Sequence, residues 1–143
     1  MTQRTKIYWH LVFLIAFGSL VLFVLCHVLF VAFYSMLMDV GHDEAFYNEF
    51  AQNTGAPFVF FFAPLPIFLM VRWMGIKVQR GIMLHAILYV LLSLLIDVSI
   101  VVLADQAVAL TATGFLLAHL AKILAAFLGG WAAQKHIAKT ITT

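Results

Sequence analysis

The sequence predicts an all-α polytopic membrane protein, a four-transmembrane-helix bundle with both termini cytoplasmic and a short amphipathic outer helix. Three observations predict it. Of the 143 residues, 65% are hydrophobic and 10% are charged, whereas soluble domains carry about 25% charged residues. Four apolar stretches are long enough to cross a bilayer, and the basic residues fall in alternate loops. A soluble enzyme, a DNA-binding domain and a disordered tail are therefore excluded.

The four predicted spans belong to a single transmembrane domain over 1–143 and cover about 8–38, 56–74, 82–104 and 107–133. A span needs about 20 apolar residues, because the hydrocarbon core is about 30 Å thick. The first stretch would reach about 48 Å as a helix. We expect it to tilt strongly, or to protrude and pack beneath the acidic outer loop 39–55. It is also too long for a signal peptide and lacks a cleavage site.

Charge predicts the orientation. The N-terminus, second loop and C-terminus carry the basic residues Arg4, Lys6, Arg72, Lys77, Arg80, Lys135 and Lys139. The first and third loops carry the acidic residues Asp39, Asp43, Glu44, Glu49 and Asp105. Because cytoplasmic loops are enriched in Lys and Arg, both termini are expected in the cytoplasm. The expected location is a bacterial inner membrane.

The acidic loop has helical spacing of its own. Phe46 and Phe50 lie four residues apart within 43–51, which predicts a short amphipathic helix lying on the outer face. His42 with the nearby carboxylates Asp39, Asp43 and Glu49 is a weak metal candidate, since the spacing fits no metal motif.

Prolines interrupt the second span. Pro57 suits the first turn of a helix, where a missing N–H costs nothing. Pro64 and Pro66 fall inside the span, and each removes a bond to the carbonyl four residues earlier, at Phe60 and Phe62. Such carbonyls need a partner within a membrane. Two interpretations stay open: a kink satisfied by a neighbouring side chain, or a discontinuous helix that lines a pathway.

The third span carries a polar ridge, defined as His85, Tyr89, Ser93 and Asp97, each four residues after the last. This spacing places the four side chains on one helix face. Ionisable groups within a membrane are costly, so the ridge must face protein or water. It is either a hydrogen-bonded packing surface or a proton or ion route in which Asp97 changes charge.

The fourth span is rich in small residues at four-residue spacing, which lets helices approach closely in lipid. One row is Gly114, Ala118, Ala126 and Gly130, with Lys122 in the remaining place, and the other is Ala121, Ala125, Gly129 and Ala133. Lys122 and Asp97 lie about 22 Å and about 11 Å from the outer edge. Their side chains lean toward each other. The sequence therefore predicts an Asp97–Lys122 pair, direct or through water or His119.

Histidines raise the question of a redox cofactor. A helical bundle can hold haem b through two imidazoles, and His27 with His119 is the weak candidate pair because both can lie at one depth. No cofactor is otherwise expected, and no metal. The single cysteine, Cys26, excludes an internal disulfide.

The predicted function is a small integral membrane transporter or channel-like protein, not an enzyme, whose ridge carries protons, ions or a small solute. The pathway residues would be Asp97, Lys122, Ser93, Tyr89, His85 and His119, with a helix break at Pro64 and Pro66. One alternative is an accessory subunit of a larger membrane complex. The other is a haem- or quinone-binding redox anchor. The expected partners are lipid and a second copy of the chain or a partner membrane subunit, and no nucleic acid.

Overall fold

A computed structural model describes residues 6–106 and 110–141. This part of the chain is helical and contains no strand. The helices are α1 (Trp9–Phe33), continued by a π-helical turn (Tyr34–Met38), α2 (Glu44–Phe62), α3 (Pro64–Val78), α4 (Ile82–Leu103) and α5 (Thr113–Ile141).

Three helical segments are long and apolar enough to cross a membrane: Trp9–Met38, Ile82–Leu103 and Thr113–Thr140. The pair α2 and α3 supplies a fourth crossing if it is counted as one bent span. Large apolar side chains are exposed along α1, for example Leu14, Val21 and Leu29. Such a surface requires an apolar surrounding, which agrees with the membrane class that the composition predicts.

The far end of α1 packs against the start of α2. Phe30 and Tyr34 both stack on Phe50, with ring centroids 5.9 Å and 4.0 Å apart. The last turn widens to π geometry before the chain leaves the helix at Asp39. Of the two outcomes expected for the overlong first stretch, the structure shows packing against the acidic segment.

The prediction of a helix within 43–51 is confirmed, but its predicted short length is wrong. Asp43 caps α2 by accepting a hydrogen bond from the backbone N–H of Phe46 at 2.9 Å, and the helix then continues unbroken to Phe62. Pro57 therefore lies inside α2 and not in a first turn. A proline removes a single backbone bond, and nothing else between Asp43 and Pro57 stops the helix.

The prolines do break the second span, as the sequence predicts. Helix α2 ends at Phe62 and α3 begins with Pro64 in its first turn. The two helices are bent by 49° at the break. The peptide N–H of Ala63 still bonds to Val59 O at 3.0 Å, and that of Ile67 to Ala63 O at 3.1 Å. The chain is thus bonded on both sides of the break.

Helix α5 packs tightly on α3 and α4 through its two rows of small residues. A Cβ added to Gly129 would lie 2.5 Å from the Phe68 carbonyl oxygen of α3. At Gly75 of α3, an added Cβ would lie 2.6 Å from the Ala133 Cβ. Gly130 faces Met83 and Ala86 of α4. Gly129, Gly130 and Ala133 are therefore used within the chain, in contacts between its own helices.

The fourth predicted span, 107–133, differs from α5 in its limits. Residues 107–109 lie outside the described part, α5 begins at Thr113, and it continues to Ile141. Hydropathy identifies the stretch that suits lipid, whereas the backbone continues as helix through polar residues. Lys135 lies in this polar extension of α5, and its Nζ is 3.8 Å from the centroid of the Trp131 ring.

The fold has two chemically different ends. Contacts between α1, α4, α3 and α5 at Tyr8, His85, Gly75 and Ala133 bring the basic segments to one end, here called the basic end. The opposite end holds Asp39, Asp43, Glu44, Glu49 and Asp105 and is called the acidic end.

Candidate functional site

The candidate site is a cluster of three ionisable side chains between α4 and α5. Lys122 Nζ donates a hydrogen bond to Asp97 Oδ2 at 2.6 Å. His119 Nε2 lies 3.0 Å from the same oxygen. Lys122 and His119 reach it together because they are three residues apart on one face of α5. The predicted contact between Asp97 and Lys122 is confirmed, and His119 completes the cluster.

The cluster is mostly shielded from the surroundings. The relative exposures of the Asp97, His119 and Lys122 side chains are 16%, 13% and 13%. The second ring nitrogen of His119, Nδ1, lies 2.8 Å from the Phe115 carbonyl oxygen. Both His119 nitrogens are therefore occupied by oxygen partners. A charge in such a place is tolerated only with close partners, which the cluster provides.

A groove of about 270 Å³ reaches the cluster from the acidic half of the molecule. Asp97 and His119 are its charged or titratable lining, and the remaining walls come from α1, α2, α4 and α5 through apolar residues that include Leu20, Val59 and Ile100. We call it the Asp97 groove. An ionisable group at the wall of an apolar groove can meet a ligand, an ion or water.

On the side of the cluster that faces the basic end, the free space between the helices is much smaller. A cavity of only about 10 Å³ lies against His119, Lys122, Ser93 and Tyr89. Tyr89 is buried, with 1% exposure. Its hydroxyl lies 3.4 Å from Ser19 Oγ of α1, and the Ser19 hydroxyl donates to Ala16 O. The two hydroxyls are thus in hydrogen-bond contact and connect α1 to α4.

His85 forms a second closure at the basic end. It is fully buried, its Nδ1 lies 2.9 Å from Gly81 O, and its Nε2 accepts the backbone N–H of Tyr8 at 3.0 Å. Because a carbonyl only accepts and a peptide N–H only donates, the ring is neutral and carries its proton on Nδ1. His85 is satisfied without a further partner and holds the start of α1 on α4.

The structure places the weak haem candidates in different surroundings. His27 Nε2 lies 3.2 Å from Thr54 Oγ1, and its ring packs on Phe58 at 5.2 Å. The Thr54 hydroxyl donates to Phe50 O, so His27 is the donor to Thr54. Both nitrogens of His119 are engaged as described above. Binding an iron at His119 would break one of those two contacts.

At the acidic end, the residues of the weak metal candidate make other contacts. His42 Nε2 lies 3.0 Å from Asp39 Oδ1, while Asp43 caps α2. Within the described residues, no group of three or more His, Cys, Asp or Glu side chains has the arrangement of a metal site. The Tyr34 hydroxyl donates to Asp39 Oδ2 at 3.0 Å. This hydrogen bond, with that of His42, holds the pKa of the Asp39 carboxyl below its ordinary value.

Several partners of the site were not predicted from the sequence. They are Ser19, Thr54, the Phe115 carbonyl and the Tyr8 N–H. Ser19 gives a signal in the sequence, as a polar residue in an apolar span. The backbone partners give none, because they depend on where the helices lie against one another.

No family model, curated protein or solved structure matches the chain. The chemistry of the site therefore rests on its own geometry.

Proposed function

We propose that this chain is a small integral membrane transport protein, and that Asp97, His119 and Lys122 hold the monovalent cation (H⁺, Na⁺ or K⁺) that it carries. The observation that carries the proposal is the three-way contact at Asp97 Oδ2. Charged side chains within spanning helices are costly and commonly mark ion or proton pathways. A packing role alone is a weaker explanation, since buried ion pairs stabilise a fold little compared with apolar contacts.

Access to the cluster supports the same proposal. The Asp97 groove opens the cluster on one side, while Tyr89 with Ser19, and His85 with Tyr8, close the other side. A carrier needs a central binding group that is reached from one side at a time. Opening the basic end would require separating α1 from α4, which the two polar contacts hold together.

The membrane arrangement belongs to the proposal. Four crossings, with α2 and α3 forming one bent span, would place both termini on the side of the basic end. The positive-inside rule then assigns this end to the cytoplasm. The Asp97 groove would face outward.

Oligomeric state is a second element of the proposal. We propose that the chain works as a homo-oligomer, because four helices enclose little space. The alternative of an accessory subunit relied on the small-residue rows of α5 as docking surfaces. Gly129, Gly130 and Ala133 of those rows pack on α3 and α4, whereas Ala121 and Ala125 line an open apolar groove between α3 and α5. A partner subunit would therefore have to contact this groove or the exposed face of α1.

Ion flux into proteoliposomes tests the function. Purified protein is reconstituted in phosphatidylcholine–phosphatidylglycerol vesicles, a membrane potential is applied, and entrapped dyes report H⁺, Na⁺ and K⁺. Flux of one ion above that of protein-free vesicles is expected for the wild type. Asp97→Asn is expected to lower it to the protein-free level, because the amide keeps the shape of the carboxylate without its charge.

The matched control is Asp105→Asn. Asp105 is exposed just beyond α4, so this variant removes the same charge outside the cluster and should retain full flux. Wild-type vesicles that stay at the protein-free level for all three ions, or Asp97→Asn vesicles with wild-type flux, would refute the proposal.

A further inference from the structure

We propose that the ion held by the cluster is a proton, shared between His119 and Asp97, and that His119 is the group that gains and loses it. This inference rests on the transport function proposed above and specifies its ion. It follows from counting the hydrogen atoms that the observed contacts require.

The Nδ1 contact of His119 fixes the first hydrogen. Its partner, the Phe115 carbonyl oxygen at 2.8 Å, only accepts hydrogen bonds. Nδ1 must therefore carry a hydrogen. If the ring is neutral, its other nitrogen, Nε2, then has a lone pair and no hydrogen.

The Nε2 contact requires a second hydrogen. Nε2 lies 3.0 Å from Asp97 Oδ2, and two lone pairs do not form a hydrogen bond. Either His119 is an imidazolium facing a carboxylate, or Asp97 is a carboxylic acid that donates to a neutral ring. Both forms contain the same number of protons, and the Lys122 ammonium, which donates to the same oxygen at 2.6 Å, favours the first form, in which Asp97 is ionised and the proton is on His119. With Lys122 charged, the cluster carries a net charge of +1, one proton more than an Asp–Lys ion pair with a neutral histidine.

His85 provides the contrast within the same molecule. Its Nδ1 faces the carbonyl four residues earlier, as in His119. Its Nε2, however, accepts a peptide N–H, so the neutral ring satisfies every contact. The difference lies in the second partner: a donor at His85 and a carboxylate at His119. Of these two sites, only the Asp97 cluster therefore requires an extra proton.

His119 is also placed to pass the proton on, since its ring lines both the Asp97 groove and the small cavity beside Ser93 and Tyr89. The titratable groups facing it are Asp97 and Tyr89 from α4 and Lys122 from α5. The groove walls from α1 and α2 are apolar. When the Nε2 proton moves to a water molecule in the groove, the water becomes hydronium, the ring becomes neutral, and the cluster charge falls from +1 to zero.

Loss of this proton also breaks a contact. A neutral His119 can donate from Nδ1 to Phe115 or from Nε2 to Asp97, but not from both. When the Nε2 proton leaves and Nδ1 keeps its bond to Phe115, the contact with Asp97 is lost, which weakens a link between α4 and α5. Proton binding and helix position are coupled in this way, which a proton-driven carrier needs.

Nitrogen NMR of the wild-type protein, labelled with ¹⁵N-histidine in lipid bilayers, tests the proposal. The ring signals are assigned with His119→Gln and His85→Asn. Between about pH 5 and 9, the range in which histidine charge ordinarily changes, the Asp97–His119 unit is expected to lose one proton. His85 is expected to stay neutral with its hydrogen on Nδ1.

Asp97→Asn supplies the second readout. Its amide can donate to Nε2 of a neutral ring, so the imidazolium signal of His119 is expected to disappear. A His119 ring that keeps one unchanged neutral state across this pH range would overturn the proposal. If ion flux is measured but the His119 ring keeps one neutral state, the proton proposal is refuted and the transport proposal stands. If the ring gains and loses a proton but no flux is measured, the proton site is supported and the transport proposal is refuted.

Discussion

The partner of each nitrogen decides what each histidine does. His85 accepts a peptide N–H and is neutral, His27 donates to Thr54, and His119 contacts a carboxylate and a carbonyl at once. The sequence alone does not distinguish these residues, because each is a histidine in an apolar span. Only the contacts distinguish a buried histidine that links two helices from a histidine that changes charge.

A buried charge is costly when it loses its partner, which gives a prediction for Asp97. Asp97→Ala leaves Lys122 charged between α4 and α5, and we expect the free energy of unfolding to fall by about 3–5 kcal/mol. Asp97→Ala combined with Lys122→Met should recover most of this loss, since no unpaired charge then remains. The measurement is SDS-induced unfolding followed by tryptophan fluorescence.

The control for this pair is Asp105→Asn, which should change the unfolding free energy by less than about 0.5 kcal/mol. Equal destabilisation by the single and the double variant would contradict the prediction, because the loss would then not come from an unpaired lysine.

Asp39 gives a pH prediction outside the spans. Its folded-state pKa is lowered, first by the Tyr34 hydrogen bond and then by that of His42. The ionised carboxylate therefore stabilises the α1–α2 connection at pH values above the unfolded pKa of about 3.9. This contribution is lost as the pH falls through the lower, folded pKa. The unfolding temperatures of wild type and Asp39→Asn should differ at pH 7, begin to converge near the unfolded pKa of about 3.9, and meet only below the folded-state pKa.

Glu49→Gln removes an exposed carboxylate of α2 and serves as the control. A difference between wild type and Asp39→Asn that stays constant through the acidic range would contradict the assignment of this effect to ionisation of Asp39.

At the scale of the helices, the tightest packing is that of α5 on α3. The backbone carbonyl of Phe68 occupies the space that a side chain at Gly129 would need. Gly129→Ala should therefore force the helices apart and lower the free energy of unfolding by about 1–3 kcal/mol. Gly18→Ala is the matched control, because an added Cβ there meets nothing within 4 Å. Its stability should be unchanged or slightly higher.

Both variants can be compared by SDS-induced unfolding in the same detergent. If Gly129→Ala is as stable as Gly18→Ala, the close approach of α3 and α5 is not a determinant of stability.

The sequence predicts helices and their break better than it predicts helix limits. Pro64 and Pro66 together remove two neighbouring N–H groups, so the break at Ala63 follows from their spacing, whereas the single Pro57 lies within the unbroken α2. The contact of Asp97 with Lys122 follows from depth and from the direction of side chains in a helix. The continuity of α2 does not follow, because hydropathy changes near Ala56 while the backbone remains helical. The Tyr8–His85 contact depends on tertiary position and has no local signal.

At the scale of the whole molecule, the two ends differ in both charge and access. The basic end is closed by polar contacts between α1 and α4, and the acidic half contains the Asp97 groove. In the proposed membrane arrangement, the Asp97 groove would lie in the outer half of the membrane, and the contacts of Tyr89 and His85 would lie on the cytoplasmic side of the cluster. Transport would require the opposite state, in which the contacts of Tyr89 and His85 open and the groove closes.

The orientation of the two ends can be tested with single cysteines in a Cys26→Ser background. Glu49→Cys lies at the acidic end and Lys135→Cys at the basic end, and both positions are exposed. With intact cells, a membrane-impermeant maleimide is expected to label position 49 alone, and position 135 only after permeabilisation. This result follows from four crossings with a cytoplasmic basic end. The reverse labelling pattern would mean that the basic end faces outward and that the Asp97 groove lies in the cytoplasmic half of the membrane. Labelling of both positions in intact cells would contradict this arrangement, because the two positions would then lie on the same side of the membrane.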